Sequence, residues 1–245
     1  MLGRALDVLF PPRCAGCGLG AWPFCDRCRS ALVVLRPPWC VRCGRPQPAD
    51  VPGCADCPPE PVSISRAPFL YDGPARAAVL RLKFAGWRSV ARALADAMTA
   101  APVPTPLDVV TWVPLARGRL TERGFDQARA LAIAVGARLE LPVVRVARRS
   151  RSSGPQARRG GAARRGAMVG AFAPAGRRVE GRVLLVDDVL TTGATAAACA
   201  RAIRDAGAHD VVLLTATRAF DRAGDRGYTR VGSRPGLWLP GDPPR

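Results

Sequence analysis

Short, unbroken apolar runs alternate along the chain with longer stretches in which Ala, Leu and Val return every three or four positions. Val109, Val110, Trp112 and Val113 form one run between Asp108 and Pro114, and Val183 to Val186 and Val211 to Ala216 form two more. Runs this short, with little polar alternation, mark strands covered on both faces, as in a parallel sheet. The spacing elsewhere predicts helices over residues 75–84, 89–100, 125–139 and 194–206, with a short strand at 66–71 and another near 143–146. Strand and helix in this order argue an α/β fold, a parallel sheet with helices on both faces. The turn of residues 113–127 then lies beside the turn that follows Val186, because the carboxyl ends of parallel strands share one edge.

That second turn carries the densest chemistry. Val183 to Val186 lead into Asp187 and Asp188, and Val189, Leu190, Thr191, Thr192, Gly193, Ala194 and Thr195 follow at the start of a helix. Threonine hydroxyls and the free N–H groups of a helix start suit a phosphate, and Gly193 lets the backbone approach it closely. Two carboxylates just upstream would repel that phosphate, so they suit vicinal ribose hydroxyls instead, directly or through Mg²⁺ and water. The whole run fits a 5-phosphoribosyl group. An ATP-hydrolysing phosphate loop does not fit, because no Gly-x-x-x-x-Gly-Lys-Ser/Thr occurs and the single lysine, Lys83, sits in Leu-Lys-Phe.

Eight of the nine cysteines fall into four Cys-x-x-Cys pairs: Cys14/Cys17, Cys25/Cys28, Cys40/Cys43 and Cys54/Cys57. Two such pairs close one tetrahedral site, so the count predicts two structural Cys₄ zinc centres with no position open for catalysis. Sequential pairing gives two zinc ribbons and interleaved pairing a cross-brace; sequential pairing is the favoured reading. Met1 to Pro12 holds Arg4 and Asp7 and no long apolar core, which points away from secretion and disulfides and toward the cytoplasm.

A length of 245 residues, 48% of them hydrophobic, suffices for a small zinc module and a full α/β core. Residues 1–62 are expected to form the zinc module, 63–219 the α/β domain and 220–245 a mostly disordered tail. No apolar run is long enough to insert in a membrane. A formal net charge of +18 attracts polyanions, although 36 of the 37 basic residues are arginine in an Ala-, Gly- and Pro-rich chain, a usage that also fits a GC-rich coding bias. Ten arginines and no acid lie between Arg145 and Arg178, among serines and glycines, which predicts a mobile basic loop able to cover a pyrophosphate or to follow a nucleic-acid backbone.

The run from Asp187 to Thr195 resembles the 5-phosphoribosyl 1-pyrophosphate (PRPP) motif of type I phosphoribosyltransferases, in which two acids hold the ribose and the following loop wraps the 5′-phosphate. Val113-Pro114-Leu115, Arg119 and Glu122-Arg123-Gly124-Phe125-Asp126-Gln127 resemble a signature of the ComF family of competence-associated, phosphoribosyltransferase-like proteins. Gln156, Arg164 and Gly170-Ala171-Phe172 match a second signature, the four cysteine pairs an amino-terminal double zinc ribbon, and Tyr71-Asp72-Gly73 with Leu82-Lys83-Phe84 a further region, so that the likeness runs from about Leu6 to Arg218. Three positions depart from the family pattern: Asp126 stands where Asn is usual, Ala163 replaces Glu and Ala167 replaces Asn.

The resemblance implies a type I phosphoribosyltransferase-like sheet and a site that binds PRPP with Mg²⁺ through residues 187–195. It makes Arg117, Arg119, Arg123 and Lys83 candidates for the pyrophosphate, with Asp187, Asp188, Arg123 and Arg164 as catalytic candidates. Arg119 and Arg123 share a face if their turn is helical. Three function classes follow: a phosphoribosyltransferase with an unidentified acceptor, a single-stranded DNA-binding factor in DNA uptake or processing alongside competence proteins, and a regulator that senses PRPP.

Overall fold

A computed structural model of the chain describes residues 13–48, 54–150 and 170–220. Arg164, Gln156, Ala163 and Ala167, and residues 221–245 of the expected tail, lie outside the described residues. In order, the elements are α1 (Asp26–Ser30), β1 (Ile64–Arg66), β2 (Phe69–Leu70), α2 (Gly73–Phe84), α3 (Ser89–Thr99), β3 (Val109–Trp112), α4 (Arg117–Arg123), α5 (Gln127–Leu139), β4 (Ala147–Arg149), β5 (Phe172–Pro174), β6 (Arg182–Leu190), α6 (Ala194–Asp205) and β7 (Asp210–Arg218).

The main sheet is parallel, in the order β1-β7-β6-β3, with β2 continuing the β1 edge of β7. Its period of two is visible in the core. Val110, Trp112, Leu184, Val186, Val212 and Leu214 face α2, α3 and α5, whereas Val109, Val183, Leu185, Val211 and Leu213 face α6. Both faces are therefore dry, which is why these strands read as unbroken apolar runs.

Local chemistry sets the helix entering the site. Asp126 caps α5, its Oδ1 accepting from the backbone N–H groups of Ala128 at 3.1 Å and Arg129 at 3.2 Å, while Oδ2 accepts from Leu115 N–H at 3.1 Å. One carboxylate thus ties the helix start to the segment that follows β3, the capping role open to Asp. Gly136, late in α5, packs against Val143 so closely that a methyl group would collide with the valine side chain.

Two expectations need correcting. The strand near 143–146 is reduced to one parallel bridge, Val110 with Val143, because Val146 N–H turns to the Thr111 hydroxyl at 3.4 Å rather than to a sheet carbonyl. Pairing resumes at β4, which runs antiparallel to β5 in a separate two-stranded ribbon. The stretch from Arg145 to Arg178 therefore has regular structure at both ends. Its middle, 151–169, lies outside the described residues. No helix among the described residues is long and apolar enough to cross a membrane.

The cysteine-rich segment is packed into the fold. Cys14, Phe24, Cys28 and Leu32 share a core cluster with Phe69, Val79 and Leu82. Phe24 meets Phe69 edge to face at 6.4 Å, and Val34 bridges to Phe69.

Candidate functional site

A pocket of about 200 Å³ opens at the carboxyl ends of β3 and β6, where open α/β sheets place their ligands. Strand β6 runs through both acids to Leu190, four residues beyond the apolar run, because β7 pairs with it as far as Arg218. Alternation along the strand sends the two acids to opposite faces. Asp188, 5% exposed, meets Lys83 Nζ from α2 at 2.7 Å through Oδ1 and Gln127 Nε2 from α5 at 3.0 Å through Oδ2. Asp187 turns toward Arg149 and Cys199 on the α6 side, and its Oδ1 accepts from Asp188 N–H at 2.8 Å.

These surroundings give the acids different electrostatics. Burial, followed by the neighbouring Asp188 carboxylate, pushes the Asp187 carboxyl well above its ordinary range, against the Asp188 N–H and Lys83, which pull it down. A carboxyl whose folded pKa is raised costs stability as pH climbs from its ordinary value through the raised one. Asp187→Asn is therefore expected to raise the thermal midpoint, with a gap over wild type that widens as pH rises above the ordinary aspartate value of about 4, while weakening the ligand. Thermal melts across that range measure it, and a variant less stable than wild type throughout would contradict the burial argument.

Facing the acids are cations from three elements. Arg119 and Arg123 both line the pocket from α4, so the turn that carries them is helical and they share its face. The Arg123 guanidinium lies 4.8 Å from the centre of the Phe84 ring, and its Nε is buried without a hydrogen-bond partner. Lys83 lines the pocket but is committed to Asp188, so its charge neutralises that acid rather than standing free for a diphosphate. From the loop, Val189, Leu190, Thr191, Gly193 and Thr195 line the pocket. Arg117, Thr192 and Ala194 do not, and Thr192 instead accepts from Ala194 N–H at 3.4 Å.

Two lining residues escaped the sequence reading. Arg149, on β4, donates from Nε to Pro114 O at 3.1 Å and lies 4.8 Å from the Phe172 ring; burial, then Arg119, lower its pKa. It was one arginine in a run of ten, and only the β4–β5 ribbon singles it out. Gln127 stood in a quoted signature without a role, and as the first residue of α5 it is aimed at Asp188.

The cysteines gather as Cys14, Cys17, Cys25 and Cys28 and as Cys40, Cys43, Cys54 and Cys57, with the sulfurs of each group within 4.8 Å of one another. The pairing is thus sequential. Sγ–Sγ distances of 3.8 Å (Cys17–Cys25), 3.7 Å (Cys40–Cys57) and 3.5 Å (Cys43–Cys54) match the edge of about 3.8 Å that a tetrahedron with Zn–S bonds of about 2.3 Å requires. Backbone N–H groups of Gly20 and Leu19 draw the Cys17 thiol down to about 6, toward the thiolate that binds metal. Four cysteine sulfurs close each group with no position left open, so the two are structural zinc sites.

Residues 5–58 match the double zinc ribbon domain family. Competence protein ComFC of Bacillus subtilis (strain 168) is 27% identical over 197 residues, covering 75% of this chain and 78% of the relative. Competence protein ComFC of Streptococcus pneumoniae (strain ATCC BAA-255 / R6) is 27% identical over 198 residues, covering 79% and 87%. Among solved structures, glutamine PRPP amidotransferase from B. subtilis overlaps 60% of this chain and 40% of its own at 19% identity, with a TM-score of 0.38. Orotate phosphoribosyltransferase from Aeropyrum pernix overlaps 59% and 77% at 21% identity, with a TM-score of 0.30. A double zinc ribbon ahead of a parallel sheet covered by helices, together with 27% identity to two ComFC proteins over most of its length, makes this chain similar to the ComF family.

Proposed function

We propose that the pocket binds PRPP with Mg²⁺ and that the chain transfers the phosphoribosyl group to an acceptor in DNA uptake or processing. The observation that carries this reading is the pair of acids at the end of β6, Asp188 buried and Asp187 half-buried, lining one pocket with Arg119 and Arg123. Thr191, Gly193, Thr195 and the N–H groups opening α6 suit the 5′-phosphate. Asp187 is the acid suited to the ribose hydroxyls, while Asp188, held by Lys83 and Gln127, fixes the strand end beside it. Displacement at C1 breaks the C1–O bond to pyrophosphate through a cation-like sugar, and the leaving diphosphate carries the charge away. Arg119 and Arg123 are placed to hold it, with the buried Nε of Arg123 supplying a donor for an anion. Mg²⁺, bound with the substrate, neutralises part of the diphosphate charge.

Arg123→Ala is expected to weaken PRPP·Mg²⁺ by about 10- to 100-fold, the scale of a lost hydrogen bond to a charged group, and to leave ribose 5-phosphate unchanged. Calorimetric titration with each compound measures this; equal losses for both would move Arg123 away from the diphosphate. The proposal as a whole fails if zinc-loaded protein takes up neither compound. Binding without transfer to any offered acceptor would favour a PRPP sensor using the same pocket.

A second reading, single-stranded DNA binding, is favoured by the net charge of +18 and by the competence names of the relatives. If it holds, affinity falls steeply with salt, since phosphate contacts release counterions. Binding that ignores salt would remove the electrostatic case. Eight zinc-binding thiolates suit a reducing cytoplasm.

A further inference from the structure

The second zinc ribbon reaches the ligand pocket. Gly193, at φ +76°, lies between β6 and α6, and a methyl group there would come 2.5 Å from Pro58 Cβ and 2.9 Å from Pro58 Cα, with Pro59 Cδ at 3.4 Å. Pro58 therefore lies directly on the loop that lines the pocket. It follows Cys57, a ligand of the second centre, with no residue between.

Arginines hold the ribbon in this place. Arg42, between the ligands Cys40 and Cys43, donates through Nη2 to Pro58 O at 3.0 Å and Val62 O at 3.1 Å and pairs with Glu60 at 2.6 Å. Arg218 ends β7 opposite Leu190, is 1% exposed, and donates to Cys43 O and, at 2.6 Å, to Asp56 O. Arg201 of α6 donates to Glu60 O at 3.0 Å. The ribbon is thus fastened to the strand before the loop's neighbour and to the helix after the loop. The first ribbon meets the fold elsewhere, with Gly16 against Pro74 and Arg81 donating to Ala15 O and Gly16 O at α2.

We infer that Pro58 is a positioning residue for the phosphate loop, and that zinc in the second centre, through Pro58, sets the affinity of the pocket for a phosphoribosyl ligand. The inference rests on the pocket reading above. A closed Cys₄ centre fixes Cys57, Cys57 fixes Pro58, and Pro58 limits how far the backbone around Gly193 can move away from an incoming phosphate. Binding by a loop held in place avoids the ordering cost that a loose loop incurs. The second ribbon thereby contributes to ligand binding although none of its residues need touch the ligand.

The test compares Pro58→Gly, which removes the Cβ that lies on the loop, with Pro58→Ala, which keeps it. Full-length, zinc-loaded protein is titrated with PRPP and Mg²⁺, and zinc is counted in each variant. Pro58→Gly is expected to retain two zinc ions and bind about tenfold more weakly, while Pro58→Ala stays within about twofold of wild type. Cys57→Ser, losing the second zinc, should bind at least as poorly as Pro58→Gly. Wild-type affinity in Pro58→Gly and Cys57→Ser overturns the inference. Hydrogen exchange of amides 190–196 gives a readout free of the ligand: faster exchange in Pro58→Gly than in Pro58→Ala is expected, and equal rates would overturn the positioning role. If wild-type protein binds no PRPP yet the exchange difference appears, the pocket reading fails while the positioning of the loop stands.

Discussion

Asp188→Ala is expected to abolish PRPP·Mg²⁺ binding and to leave single-stranded DNA binding at wild-type strength. The carboxylate is held by Lys83 at 2.7 Å and Gln127 at 3.0 Å, and both partners are themselves largely or fully buried. Removing it deprives a largely buried ammonium group of its paired carboxylate, a loss of up to about 3–5 kcal/mol when one partner of a buried pair is deleted. Stability and binding must therefore be separated. Lys83→Met in the Asp188→Ala background removes the stranded charge and should restore much of the stability, because replacing both members of a buried pair by apolar groups is often nearly neutral. Binding should remain lost, since the strand end is no longer braced and an acid is gone from the pocket. Recovery of PRPP binding along with stability would mean that Asp188 matters only for folding. Loss of DNA binding in the folded double variant would show instead that the two sites cannot be separated.

Lys83 illustrates what the sequence could and could not convey. The helix that carries it was legible from the apolar spacing of residues 75–84, and so was the strand that carries Asp188. Which cation would meet which acid depended on α2 crossing the same sheet face as the even-numbered residues of β6, and a pairing across more than a hundred residues leaves no local trace. Gln127, 61 residues from Asp188, and Arg149, 35 residues from Pro114, are likewise placed by tertiary packing. By contrast, the strands buried on both faces, the cap at Asp126 and the grouping of thiols in fours follow from rules of short range: period, capping chemistry and Cys-x-x-Cys spacing. The strand expected near 143–146 failed for a reason that spacing does not encode, a hydroxyl from Thr111 on β3 taking the N–H that would have continued the ladder. The contact between Pro58 and Gly193 belongs with the long-range class. Gly193 could be read from the sequence as room for a ligand, and the structure gives part of that room to the zinc ribbon.

Stripping zinc is expected to unfold the chain as a unit rather than to release an independent amino-terminal module. Apparent binding energies of about 10–16 kcal/mol per structural zinc in small zinc peptides are comparable to the whole stability of a typical domain, about 5–15 kcal/mol, so neither ribbon should persist without metal. What spreads the damage is the shared core. Cys14, Phe24, Cys28 and Leu32 are packed with Phe69, Val79, Leu82 and Leu94 in one cluster, and Arg66 and Arg218 direct guanidinium groups from the sheet to carbonyls beside the second centre. Loss of the first ribbon uncovers apolar surface on α2, and loss of the second leaves two largely buried guanidinium groups without their acceptors, each a cost of about 1–3 kcal/mol or more. A chelator titrated against purified protein should remove two zinc ions per chain and lower the midpoint of a single thermal transition that includes the sheet. Fewer than two zinc ions at the start would refute the Cys₄ assignment, whatever the melt shows. Two separate transitions, with the upper one unmoved by the chelator, would mean that the α/β core stands without its ribbons. The dependence of the pocket on the second centre would then be confined to the contact at Pro58, where the Pro58→Gly and Pro58→Ala comparison isolates it.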